Sequence, residues 1–150
     1  MNRRFKRGDG LLNTWTITKK ERKQCIKTIE KHLKNYKNYC AAIESLEKQL
    51  SFISSNKLSS GESSGFGKFP NVKEINSELS LNRMFVETIE KGLEGLTDIE
   101  KKYVECRYFK EWSVTKSAFE IGYSEKSVFV IRNQVMDKLL ISLGHLRQIE

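Results

Sequence analysis

Two runs of apolar residues, each stepping three and four places, constrain this chain more than any other feature. The first is Ile26, Ile29, Leu33, Tyr36, Cys40, Ile43, Leu46, Leu50 and Ile53. The second is Val72, Ile75, Leu79, Asn82, Val86, Ile89, Leu93 and Leu96. Steps of three and four place side chains on one stripe of a helix, whereas a strand needs a period of two. The chain is therefore expected to be all-α. "TKKE" opens the first run as a capping box, with Thr18 capping and Glu21 reaching back. If unbroken, that helix runs from Thr18 to about Ile53, roughly 50 Å at ~1.5 Å per residue. Asn71 is a plausible cap for the second, with Glu74 three residues on. Asn82 is the polar member of its seam, and a lone Asn in a paired-helix seam fixes register and partner number. Gly92 and Gly95 weaken the helix as it ends.

Between the runs lies "SSNKLSSGESSGFGKFP", residues 54–70, which reads as a flexible Gly/Ser loop closed by Pro70. Its "GFGKF" invites comparison with a phosphate-binding loop. That loop needs Gly five places before the Gly-Lys pair and Ser or Thr after it. Glu62 and Phe69 stand there instead. Two seams joined by a flexible loop predict a long, coiled-coil-like helical hairpin over residues 18–95. A hairpin has little core of its own, so dimerisation or docking on the C-terminal part is expected, with self-association as a dimer favoured.

Charge is distributed unevenly. Residues 1–40 hold 12 Lys and Arg against 3 Asp and Glu, while the whole chain holds 27 against 19. The basic excess is N-terminal, and such a block attracts polyanions. Residues 1–17 read as a basic flexible arm. Its Arg3, Arg4, Lys6 and Arg7 are candidates for sequence-independent, salt-sensitive contact with DNA. An unstructured tail explains the same composition. Lys19, Lys20, Arg22, Lys23, Lys27, Lys31, Lys34 and Lys37 continue the charge along the first helix.

Other chemistry has little support. Cys25, Cys40 and Cys106 are odd in number and widely spaced, giving no disulfide framework and no metal-ligand pattern. They are expected to be reduced packing thiols. His32 and His145 stand in no catalytic motif, so no enzyme activity, metal or cofactor is expected. No signal peptide or transmembrane run is evident, and a soluble, cytoplasmic protein without membrane contact is expected.

Residues 96–150 form the third part. "TDIE" is a second capping box, Thr97 with Glu100. Ser113 can cap a short helix holding Val114, Ala118 and Ile121, and Gly122 can end it in a left-handed turn. Ser124 caps the next helix, which buries Val128, Ile131, Val135 and Leu139 and stops at Gly144. The small Ala118, the turn Gly122 and the apolar pair Val128 and Ile131 make a helix-turn-helix plan. A helical bundle containing a Gly turn would carry the same residues. In the helix-turn-helix the outward residues at the start of the second helix can enter a major groove.

The stretch "LTDIEKKYVECRYF…W…AFEIGYSEKSVFVIRNQVMDKL" resembles the promoter-reading fourth region of bacterial sigma factors. It is more similar still to sigma-like phage regulators of the ArpU/RinA type, the late-gene activators. The resemblance covers roughly the last 55 residues and rests on "LT-x-x-E…RYF", the "GYS" turn and the "V-x-x-IR" helix. It implies a DNA-binding transcription regulator of phage or prophage genes, an activator acting with host RNA polymerase. Two other readings remain: a DNA-packaging component like a small terminase subunit, and a helical module that grips protein.

For a DNA reader the expected contacts are Ser124, Glu125, Lys126, Ser127, Phe129, Arg132 and Asn133. Lys126 and Arg132 would meet phosphate or guanine, Asn133 adenine, Glu125 cytosine, and Phe129 a thymine methyl. Phe129 can equally pack on a neighbouring helix or subunit. The chain departs from the usual pattern at Ser117, where an aliphatic residue usually precedes the Ala. It departs again at Phe129 and Val130, where polar DNA contacts are common.

Overall fold

The computed structural model describes residues 17–56 and 71–148, all helical or in short connections, with no strand among them. Six α-helices follow in order: α1 Lys19–Lys34, α2 Tyr36–Asn56, α3 Val72–Glu94, α4 Asp98–Val104, α5 Val114–Ile121 and α6 Glu125–Leu143. A π-turn, Glu105–Phe109, extends α4, and a 3-10 turn, Gly144–Gln148, extends α6. The arm with Arg3, Arg4, Lys6 and Arg7, and loop residues 57–70, lie outside the described residues. No described helix is long and apolar enough to cross a membrane.

Local side-chain chemistry sets the helix starts. The Thr18, Asn71, Thr97, Ser113 and Ser124 side chains each accept from the backbone N–H three residues on. At Thr97 the box is reciprocal, since Glu100 accepts from the Thr97 N–H at 2.9 Å. At Thr18 it is not: the hydroxyl, rather than the backbone, donates to Glu21. Gly144 stops α6 after Leu143, as expected, though not in a left-handed turn. It keeps right-handed geometry, and the chain tightens into the 3-10 turn.

The chain divides into two compact units, one of Met1–Asn35 with Thr88–Glu150 and the other Tyr36–Glu87. The division expected from the sequence, a hairpin over 18–95 and a C-terminal unit over 96–150, places α1 and the end of α3 with the hairpin. The single long helix is interrupted at Asn35 (φ −93°, ψ 5°). There the Asn35 amide folds back and donates to the Lys31 carbonyl at 3.0 Å, a local bond that competes with helix continuation. The apolar seam runs through the break, but its two halves serve different cores.

In the first unit, α1 buries Cys25, Ile26, Ile29 and Leu33 and packs against α6, the π-turn and the 3-10 turn. Helix α4 packs on α5 and α6. Tyr103, Val104, Val135, Met136, Leu139, Leu143 and Leu146 complete this core. Gly92, near the end of α3, has a structural task. A Cβ there would collide with the Leu143 side chain and press on Ser142, so glycine permits close approach to α6.

The second unit is an antiparallel helix pair. Leu46, Ile75 and Leu79 are buried, flanked by Ile43, Leu50 and Ile53. Tyr39 stacks on Phe85 with ring centroids 4.8 Å apart. Arg83 pairs with Glu47. Asn82 is half-buried on α3. Its amide donates to the Glu78 carbonyl of its own helix at 2.8 Å.

Candidate nucleic-acid interface

Helix α5, Gly122 and α6 form the turn expected from the sequence. Gly122 has φ 88° and ψ 28°, a left-handed conformation that costs a residue with a Cβ. The Gly122 and Tyr123 N–H groups both donate to the Ala118 carbonyl, at 2.9 and 3.0 Å. Ala118, Val128 and Ile131 are buried where the two helices meet.

Ser117 is fully buried beside Ala118, and its hydroxyl has no hydrogen-bond partner among the described residues. An apolar side chain belongs there on physical grounds. Ser117→Ala is expected to raise stability by about 1 kcal/mol, the desolvation cost of an unmade hydrogen bond. Urea unfolding of the two proteins measures it.

The seven residues expected on α6 separate into three groups. Ser124, Glu125 and Ser127 build the turn. Ser124 accepts from the Ser127 N–H and its hydroxyl meets that of Ser127, both at 3.1 Å. Glu125 accepts from the Thr115 hydroxyl at 2.7 Å, tying α6 to α5. Lys126, Phe129 and Asn133 are exposed, as is Val130. At 3.6 residues per turn these four share an arc of roughly 100°. Phe129 is 57% exposed and Val130 54%, so neither belongs to the core.

Arg132 forms the third group, because it does not project freely from α6. Its guanidinium donates to Glu30 of α1 at 3.2 Å, and the Tyr108 hydroxyl donates to the same carboxylate oxygen at 2.6 Å. The π-turn makes this possible. Its wider winding brings residues five apart toward one face, and Tyr103 and Tyr108 meet edge to face at 5.9 Å. Burial, reinforced by Tyr103 and Glu30, pushes the Tyr108 phenol far above its ordinary value. Burial would lower the Arg132 guanidinium, but the Glu30 charge outweighs it and holds Arg132 above its ordinary value. Arg132 is thus a fixed cation at the junction of α1 and α6.

Helix α1 is the part that sequence reasoning placed elsewhere. Arg22 pairs with Asp137 of α6 at 2.8 Å. Lys19, Lys23 and Lys27 line an open groove of about 340 Å³ with Arg132 and Asn133. Their charge was legible in the sequence; their neighbour was not.

The loop before α5 is fixed by Trp112. Lys116 and Lys110 sit over its ring at 4.1 and 4.6 Å, and Arg107 donates to its carbonyl at 2.6 Å. Cys25 and Cys106 are buried and Cys40 is half-buried. Burial raises the Cys106 thiol, which keeps it protonated and unreactive. No group of three or more His, Cys, Asp or Glu is placed to hold a metal among the described residues. Comparison with protein-family models, curated proteins and solved structures gave no match.

Proposed function

We propose that this chain binds double-stranded DNA through the N-terminal half of α6 and regulates transcription of phage or prophage genes. One observation carries the DNA reading. Past a left-handed Gly122 turn, α6 is anchored by Val128 and Ile131 while Lys126, Phe129 and Asn133 stand exposed on one face. A helix held that way can lie in a major groove. Asn133 can pair with adenine, Lys126 can reach guanine or phosphate, and Phe129 can meet a thymine methyl. The activator role with host RNA polymerase rests on the resemblance of the last 55 residues, roughly, to sigma-like regulators.

Selection of duplexes from a random pool tests the reading. The full chain is expected to enrich one motif. Asn133→Ala is expected to lose about 1–3 kcal/mol of discrimination at one position of it. Phe129→Ala is expected to relax selectivity while leaving thermal stability within ~0.5 kcal/mol, as an exposed residue should. Enrichment of no motif sinks the proposal.

A second reading has its own support. Phe119 is 85% exposed on α5, and Phe129 and Val130 add apolar surface on α6. A helix-turn-helix that grips protein would use them. It predicts that Lys126→Ala changes nothing in the selection.

A further inference from the structure

Helix α1 carries a second charged surface beside α6. Lys19, Lys20, Lys23, Lys27, Lys31 and Lys34 are all exposed. At 3.6 residues per turn they fall within an arc of roughly 120°, across the helix from the buried Cys25 and Ile29. The carboxylate on that arc is Glu30, and its oxygen already receives Tyr108 and Arg132.

An ordinary solvated helix face mixes its signs, because opposite charges four apart stabilise a helix and like charges destabilise it. Here Lys19, Lys23, Lys27 and Lys31 are successive like-charged neighbours at that spacing. Lys19 and Lys20 also sit in the first turn, where the helix dipole disfavours cations. A stripe that works against its own helix fits an anionic partner. An acidic membrane fits poorly. An interfacial helix inserts its apolar face, and the apolar face of α1 is buried in its own unit.

We infer that this stripe rests on the phosphate backbone of the duplex that α6 enters, clamping it without regard to sequence; the inference builds on the DNA reading above. A major groove ~12 Å wide admits one helix of about 10–12 Å diameter. A second helix packed beside the first, at the usual ~8–10 Å between axes, must lie over the groove's rim, where the phosphates are. Lys19, Lys23 and Lys27 advance about 6 Å at each step. That is near the axial spacing of alternate phosphates on one strand, at ~3.4 Å each. The groove these three lysines share with Arg132 and Asn133 makes the stripe continuous with the reading face.

The test uses the full chain, a duplex of random sequence, and binding measured between about 50 and 200 mM salt. The triple variant Lys19→Gln, Lys23→Gln, Lys27→Gln is compared with wild type and with Lys48→Gln, Lys73→Gln, Lys91→Gln, three exposed lysines off the stripe. The stripe variant is expected to bind about ten- to a hundredfold more weakly. Its slope of log affinity against log salt is expected to be shallower by roughly 2–3, at ~0.9 per phosphate. The control triple should match wild type. An unchanged slope in the stripe variant, an equal loss in the control, or wild-type binding to phosphatidylserine vesicles but not to the duplex would each overturn the inference. The selection above separates the two ideas. Wild-type motif choice with an unchanged stripe slope removes the clamp and leaves the reading. A shallower slope with no motif removes the reading and leaves a sequence-blind clamp.

Discussion

Residues 88–150 expressed without α1 are expected to show no cooperative thermal transition. The reason lies in what α1 brings to that unit. Ile26, Ile29 and Leu33 are buried there, at 8%, 1% and 0% exposure. Each such side chain contributes ~1.5–3 kcal/mol, so the three together contribute about 5–9 kcal/mol. Whole domains are stable by only ~5–15 kcal/mol. Removing α1 also uncovers its side of the core, and it strands the buried Tyr108 hydroxyl and the half-buried Arg132, both of which use Glu30. A graded version is Leu33→Ala in the full chain, expected to cost ~2–5 kcal/mol. Circular dichroism melts check both. A fragment 88–150 that melts as sharply as the full chain would show that α1 is an accessory to this unit.

Glu100 gives the second large effect. It is 4% exposed, yet charged, and it serves two elements at once. It accepts from the Thr97 N–H at the start of α4 and from Lys138 of α6, the latter at 2.7 Å. The Lys138 side chain is 45% exposed, so its share is screened by solvent. Loss of the charged acceptor for the Thr97 N–H contributes about 1 kcal/mol, and the broken pair adds to it, so Glu100→Ala is expected to cost about 2–4 kcal/mol. In a unit of this size that is roughly 10–20 °C in Tm. Glu100→Gln keeps an acceptor for the Thr97 N–H and should lose less.

The pH dependence of the same group has a defined sign. Burial would raise the Glu100 carboxyl, but Lys138 and the Thr97 N–H outweigh it and hold it below the ordinary 4.5. A depressed carboxyl contributes stability in full above its ordinary value and loses it as pH falls through the folded value. The stability gap between wild type and Glu100→Gln is therefore expected to be constant near neutrality and to shrink in acid below 4.5. A gap that widens in acid would contradict the assignment.

What could be read from the sequence is what depends on neighbours along the chain. The caps at Thr18, Asn71, Thr97, Ser113 and Ser124 act over three residues, and Gly122 ends α5 through its own backbone freedom. What could not be read depends on distant partners. The apolar seam named a buried stripe on α1 but not the surface that buries it. Asn35 looked like any polar residue until its amide turned back to Lys31. The π-turn at Glu105–Phe109 has no local signature, yet it carries Tyr108 to Glu30. Arg132 looked like a free contact because Glu30 stands 102 residues away. Ser117 was visible as a departure, and its burial gives the departure a physical cost. The exposure of Phe129 settles that it is not core, and leaves its partner to experiment.

Recovery and sequencing of genomic DNA bound to the full chain in its host tests the central claim most directly. Enrichment at one promoter, lost in Lys126→Ala with Asn133→Ala, is the result expected of a transcription regulator that reads DNA through α6. Uniform recovery across the genome, or recovery confined to a packaging site, would contradict it.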